Sequence, residues 1–104
     1  MLNINFEFRK GIFFIRLFGD LNKETSKKKD AYLKELLNDN SFKYIVINTN
    51  YLSSIDLDGI SYLTKILLTS NSFDCNLVIC DKTKLFKTLL NNNIPSIEDE
   101  LEVL

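Results

Sequence analysis

Two short apolar runs constrain the fold of this chain most. Residues 44–47 and 77–80 are each continuously apolar, which is typical of central parallel strands that are covered on both faces. A polar connection and a helical pattern follow each run. Because parallel neighbours must be joined by crossovers, and these are right-handed, the pattern predicts an α/β fold built on a small sheet.

The N-terminal residues predict an antiparallel hairpin that precedes the parallel part. Apolar and polar side chains alternate from Leu2 to Arg9, which is the period of a strand with one face in water. Lys10 and Gly11 predict a tight turn, and residues 12–18 predict a second strand that is apolar except for one arginine. The sheet is therefore expected to be mixed, with the first strand outermost.

Two helices follow from apolar stripes at helical spacing. Residues 23–38 predict the first helix, with Asn22 as its N-cap. The second is expected to begin between Asp56 and Gly59 and to end near Ser70, with either Asp56 or Asp58 as its cap. Residues 71–74 are predicted to connect this helix to the next strand.

The end of the chain predicts a third helix and a short tail. Asp81 is expected to cap a helix with four inward-facing side chains, which are Leu85, Phe86, Leu89 and Leu90. After Pro95, a cap formed by Ser96 and Asp99 favours a short terminal helix within residues 98–104, with a strand as the alternative.

These elements give the order β-β-α-β-α-β-α plus a short C-terminal element. Crossovers of one hand in sequential order place the helices mainly on one face, so the other face must be closed by the tail, by side chains or by a partner. The predicted core consists of Ile15, Leu17, Ile45, Ile47, Leu63, Leu67, Val78, Ile79 and Leu89.

Composition narrows the classes of function. The chain has 104 residues and a net charge of −1, so we expect one domain over residues 1–104, without affinity for nucleic acid or membrane. It contains no histidine, the commonest general base and metal ligand. Together with the lack of a clustered catalytic set, this predicts a protein that is not an enzyme and needs no cofactor or metal. Because no apolar run approaches the length of a membrane span and no signal peptide is visible, we expect it in the cytoplasm. Cys75 and Cys80 bracket a strand, which places them too far apart for a disulfide.

Asp56 and Asp58 stand where a strand connection passes into a helix. In open α/β sheets this edge is where ligands and partners are met. A pair of carboxylates there could serve acid–base chemistry or Mg²⁺. A cap together with a charge that complements the helix dipole is the favoured interpretation.

Residues 55–61, Ile-Asp-Leu-Asp-Gly-Ile-Ser, resemble the Ile-Asp-Ser-Ser-Gly-Leu-Gly signature of the STAS domain of bacterial anti-sigma factor antagonists. Residues 19–22, Gly-Asp-Leu-Asn, are similar to the Gly-Glu-Leu-Asp that follows the second strand of that family. The departures are Leu57 for the first Ser, Asp58 for the phospho-acceptor Ser, Ser61 for the last Gly and Asn22 for Asp. The element order of the family also covers essentially the whole chain.

The resemblance implies a transcription regulator that works by partner switching and binds a kinase-like anti-sigma factor. The implied partner-binding residues are Asn22, Asp56, Leu57, Asp58, Gly59 and Ser61. With Asp58 in place of the acceptor, Ser54 and Ser61 remain as candidate phosphorylation sites. A constitutive adaptor in a larger sensory or transport complex is the alternative, followed by weak nucleotide binding. The chain is expected to be a monomer or a weak homodimer.

Overall fold

The computed structural model describes residues 1–39, 41–70, 76–90 and 93–104. Within these residues two strands precede each of the two α-helices, and two more strands precede a short 3-10 helix over Glu100–Val103. The elements are β1 (Leu2–Arg9), β2 (Ile12–Leu21), α1 (Lys23–Leu37), β3 (Tyr44–Asn48), β4 (Leu52–Ile55), α2 (Leu57–Ser70), β5 (Asn76–Cys80) and β6 (Ser96–Ile97).

The sheet is mixed, as the sequence predicts. Its order is β1-β2-β3-β5-β6, and β4 pairs with the end of β2. β1 and β2 are antiparallel, whereas β3, β4, β5 and β6 all run parallel to their neighbours. The turn between β1 and β2 places both Lys10 and Gly11 at positive φ, which is the geometry of a tight hairpin turn. The α/β class with an N-terminal hairpin is thereby confirmed.

Both α-helices pack on one face of the sheet. Leu33 and Leu37 from α1 and Leu63 and Leu67 from α2 join the main apolar cluster with the inward side chains of β2, β3 and β5. Eight of the nine predicted core residues are buried. Leu89 is the exception, because it is 49% exposed, and that part of the core prediction is wrong.

The C-terminal tail covers part of the opposite face. There Ile12, Phe14, Val46, Val78 and Cys80 form a second buried cluster, against which Ile97 and Val103 pack. The tail thus supplies the closure that a sheet with helices on one face requires. No helix in the described part of the chain is long and apolar enough to cross a bilayer.

The predicted third helix is wrong, because residues 82–90 form turns. Lys84 adopts a positive φ of 58°, which a right-handed helix starting at Asp81 does not allow. The Asp81 carboxylate accepts hydrogen bonds from the Phe86 backbone N–H at 3.0 Å and the Thr83 hydroxyl at 2.7 Å. Only Phe86 and Leu90 of the four predicted inward residues are buried, since Leu85 is exposed like Leu89.

The tail forms a helix with a different cap from the one predicted. Asp99 is the N-cap of the 3-10 helix and makes a capping box with Glu102, whereas Ser96 belongs to β6. The strand β4 was not predicted.

The predicted connection at residues 71–74 and Cys75 lie outside the described residues. Cys80 is a free, buried thiol.

Candidate functional site

The start of α2 is held in place by Asp56. Its carboxylate accepts a hydrogen bond from the Gly59 N–H at 2.8 Å, and its carbonyl accepts one from the Ile60 N–H at 2.9 Å. The Asp56 N–H donates to the Leu21 carbonyl at 3.3 Å. Of the two caps left open by the sequence, the structure therefore selects Asp56, which also ties α2 to the end of β2.

Gly59 is required because two backbone segments approach closely. It is buried, and a Cβ atom there would collide with the carbonyl oxygen of Leu21. Any side chain would push the first turn of α2 away from β2. This gives Gly59 a packing role that does not depend on any partner.

Leu57 and Asp58 face solvent on the same first turn. Leu57 is 83% exposed, and Asp58 and Ser61 are also exposed. The positive end of the helix dipole favours the Asp58 carboxylate at this place. The arrangement presents an apolar side chain and a negative charge on a backbone that is fixed by its neighbours.

Asn22 caps the neighbouring helix at the same edge. Its side-chain oxygen accepts from the Thr25 N–H at 3.0 Å, and the Thr25 hydroxyl is 3.0 Å from the Asn22 N–H, which donates to it. The predicted N-cap is confirmed. Since Asn22 directly follows Leu21, whose carbonyl meets Asp56, the two helix starts lie next to each other at this edge of the sheet.

Ser54 has a partner that the sequence does not predict. Its hydroxyl donates to one Asp20 carboxylate oxygen at 2.7 Å, and the N-terminal ammonium of Met1 binds the other oxygen at 3.1 Å. The hydrogen bond from Ser54 lowers the pKa of Asp20, with help from the ammonium group. The contact depends on the parallel pairing of Asp20 with Ser54 between β2 and β4, for which the local sequence carries no signal.

A groove of about 850 Å³ runs along this edge beside β4. Its buried polar side chains already have partners within the protein. The Thr49 hydroxyl donates to the Cys80 carbonyl at 2.9 Å, and the Asn48 amide donates to Glu100 at 2.6 Å. Burial, with the nearby carboxylates, raises the pKa of the Cys80 thiol to about 12, so this thiol stays protonated at neutral pH. Among the described residues, no three metal-binding side chains cluster closely enough to hold an ion.

Two segments that are far apart in sequence thus meet at one edge, with Leu21 against Asp56 and Gly59. The family model of the STAS domain matches residues 3–96. The chain belongs to the STAS domain family. That match covers β1 to the start of β6, and so includes both segments on which the sequence resemblance depends.

Solved structures of anti-sigma factor antagonists share the fold. The anti-sigma factor antagonist SpoIIAA in its unphosphorylated form is 14% identical, with a TM-score of 0.70, over 99% of this chain and 93% of that one. An anti-sigma factor antagonist from Mycobacterium paratuberculosis is 11% identical, with a TM-score of 0.72, over 98% of this chain and 90% of that one. The Bacillus cell fate determinant SpoIIAA in its phosphorylated form is 16% identical, with a TM-score of 0.66, over 99% of this chain and 96% of that one.

At these identities the similarity establishes the fold, and the roles of single residues depend on this STAS domain's own geometry. That geometry separates two groups of predicted residues. Asn22, Asp56 and Gly59 are occupied in capping and packing. Leu57, Asp58 and Ser61 are exposed and available for contact.

Proposed function

We propose that this STAS domain is a non-catalytic regulatory module in the manner of an anti-sigma factor antagonist. It docks the first turn of α2 onto a kinase-like anti-sigma factor and acts in the cytoplasm. Leu57 supplies the apolar contact, Asp58 supplies a fixed negative charge, and Ser61 borders them. We call these three residues the α2 docking turn.

The exposure of Leu57 is the observation that carries the proposal. A large apolar side chain that is 83% exposed contributes nothing to folding where it stands, yet its backbone is held on both sides by the Asp56 cap and the Gly59 packing contact. A rigid, exposed apolar residue loses little conformational entropy on binding. It is therefore suited to be an anchor in a protein–protein interface.

Asp58 determines what kind of regulator this is. When residues 55–61 are compared with the STAS signature, Asp58 stands at the position of the phospho-accepting serine. Phosphoserine carries a charge of about −1.5 to −2, whereas aspartate carries one negative charge and offers a kinase no hydroxyl group. The proposed module therefore lacks the usual serine switch and holds a constant charge at its docking turn.

Calorimetric titration against a purified kinase-like ATPase encoded beside this protein in its source genome tests the proposal. The wild type should bind, and Leu57→Ala should weaken binding roughly tenfold or more. Leu68→Ala is the matched control, because Leu68 is an exposed leucine near the other end of α2, and it should bind like the wild type.

If Leu57→Ala binds as tightly as the wild type, the docking turn is not part of the interface. If neither the wild type nor the variants bind any such ATPase, with or without ATP, the antagonist function is wrong. The chain would then be better described as a constitutive adaptor of a larger assembly.

A further inference from the structure

The outer edge of β1 is open. β1 (Leu2–Arg9) is the terminal strand in the sheet order, and within the described residues only β2 pairs with it. Its register with β2 is continuous from Leu2 to Arg9, without a bulge, and it contains no proline. A long, regular edge strand presents unpaired N–H and C=O groups, which form a template for another strand.

An aromatic patch lies beside this open edge. Exposure on the helix-bearing face rises along β1, from 1% at Leu2 to 47% at Phe6 and 60% at Phe8. The ring centroid of Phe6 lies 5.7 Å from that of Phe13, and that of Phe8 lies 5.5 Å from that of Phe42. The rings are thus partly ordered by intramolecular contacts and still largely open to water.

We propose that β1 pairs antiparallel with β1 of a second copy of this chain, with Phe8 opposite Phe8 on a two-fold axis. A symmetric dimer of this kind uses the same surface on both subunits. The edge donates and accepts the backbone hydrogen bonds, and the Phe8 rings pack together on the face that α1 leaves uncovered. A homodimer of this STAS domain therefore has a continuous sheet.

Charge complementarity selects this register. With Phe8 opposite Phe8, Glu7 of each copy stands opposite Arg9 of the other, which gives two opposite-charge cross-strand pairs. A register with Phe6 opposite Phe8 instead sets Glu7 against Glu7, and like charges directly opposite are unfavourable. A register centred on Phe6 sets Glu7 against Asn5, so neither charge gains a partner of opposite sign.

The shared segment is short, so the dimer is weak. In the selected register only residues 7–9 of each β1 face β1 of the other copy, because β1 ends at Arg9, and Leu2 extends beyond the contact. Interfaces well under about 1,000 Å² are transient. Self-association is therefore expected at high micromolar concentration, and dilution should reverse it.

Sedimentation equilibrium of the full chain measures this association. Phe8→Lys should weaken dimerisation roughly tenfold or more, because it places two like charges on the axis and removes the apolar contact. Leu89→Lys is the matched control, since it adds the same charge at a leucine that is 49% exposed and follows β5, which β2 and β3 separate from β1 in the sheet, and it should dimerise like the wild type.

A charge swap tests the register. Glu7→Arg and Arg9→Glu should each weaken self-association, whereas an equal mixture of the two variants should regain it as a heterodimer, because every cross-strand pair is again opposite in charge. Thermal melting establishes that each variant is folded. If Glu7→Arg does not fold because it loses the contact of Glu7 with Arg16, Glu7→Gln replaces it in the same measurements.

A wild type that remains monomeric at about 1 mM would overturn the proposal, since even weak interfaces associate at that concentration. Phe8→Lys dimerising like the wild type would do so as well. Failure of the mixture to regain association would overturn the register. None of these results bears on binding through the α2 docking turn, because the two surfaces share no residue.

Discussion

Arg16 and Glu100 form a bidentate ion pair on the face of the sheet that carries no α-helix. Arg16 Nε donates to one carboxylate oxygen of Glu100 at 2.9 Å, and Nη2 donates to the other at 2.7 Å. The two residues are 84 positions apart in the chain. Arg16 also donates to Glu7 at 2.8 Å, and Asn48 donates to Glu100. This network fastens the 3-10 helix of the tail over the second apolar cluster.

Acid should weaken the ion pair between Arg16 and Glu100. The hydrogen bond from Arg16 is the main cause that lowers the pKa of Glu100 in the folded protein, against the opposing effect of burial. A carboxylate with a depressed folded pKa contributes stability above its unfolded pKa and loses that contribution as the pH falls through the folded pKa. The ordinary value is 4.5, so the loss begins below that pH.

Urea unfolding of the wild type and of Glu100→Gln at pH 7 and pH 3 measures the effect. We expect Glu100→Gln to lower the free energy of unfolding by about 1–2 kcal/mol at pH 7 and by less at pH 3. Glu24→Gln is the control, because its ion pair with Lys28 is exposed, and it should change little at either pH. A difference for Glu100→Gln that is the same at both pH values would contradict the prediction.

Gly59→Ala should destabilise the domain. The added Cβ meets the carbonyl oxygen of Leu21, and overpacking of this kind costs roughly 1–3 kcal/mol. Thermal or chemical unfolding checks this, with Ser61→Ala as control, since Ser61 is exposed on the same helix. If Gly59→Ala unfolds like Ser61→Ala, then α2 does not lie against β2 as described.

The core should respond to truncation at Ile47 and not at Leu89. Ile47 is fully buried in β3, whereas Leu89 is half-exposed in the turn segment. Ile47→Ala should cost about 2–5 kcal/mol, and Leu89→Ala should cost less than about 1 kcal/mol. Equal losses from both truncations in urea would favour the helix that the sequence predicts for residues 82–90.

Asp58→Ser should create a phosphorylation site. If the partner proposed above is a serine kinase, incubation with ATP should add phosphate at position 58 of the variant and leave position 58 of the wild type unmodified, as mass spectrometry of peptides can determine. Because Asp56 is the cap, the fold should lose no more than about 0.5 kcal/mol. Phosphate on Ser54 or Ser61 of the wild type would mean that the switch has moved to another residue.

Local pattern was sufficient for most of the fold. The apolar runs of β3 and β5 and the stripe of α1 each follow from a period that a few neighbouring residues define. The caps Asn22 and Asp56 were also within reach, because a cap acts on an N–H three positions along the chain. The residues of the α2 docking turn were predicted from the resemblance of residues 55–61 to the STAS signature.

Tertiary structure alone decided the features that join distant segments. Residues 82–90 have the apolar spacing of a helix, but the buried Asp81 carboxylate and the positive φ of Lys84 stabilise turns instead. β4 exists because its backbone pairs with β2, and that pairing brings Ser54 to Asp20. The contact of Arg16 with Glu100 likewise depends on where the tail crosses the sheet. A sequence determines its local conformational preferences directly, but long-range pairs form only where the packed chain brings their partners together.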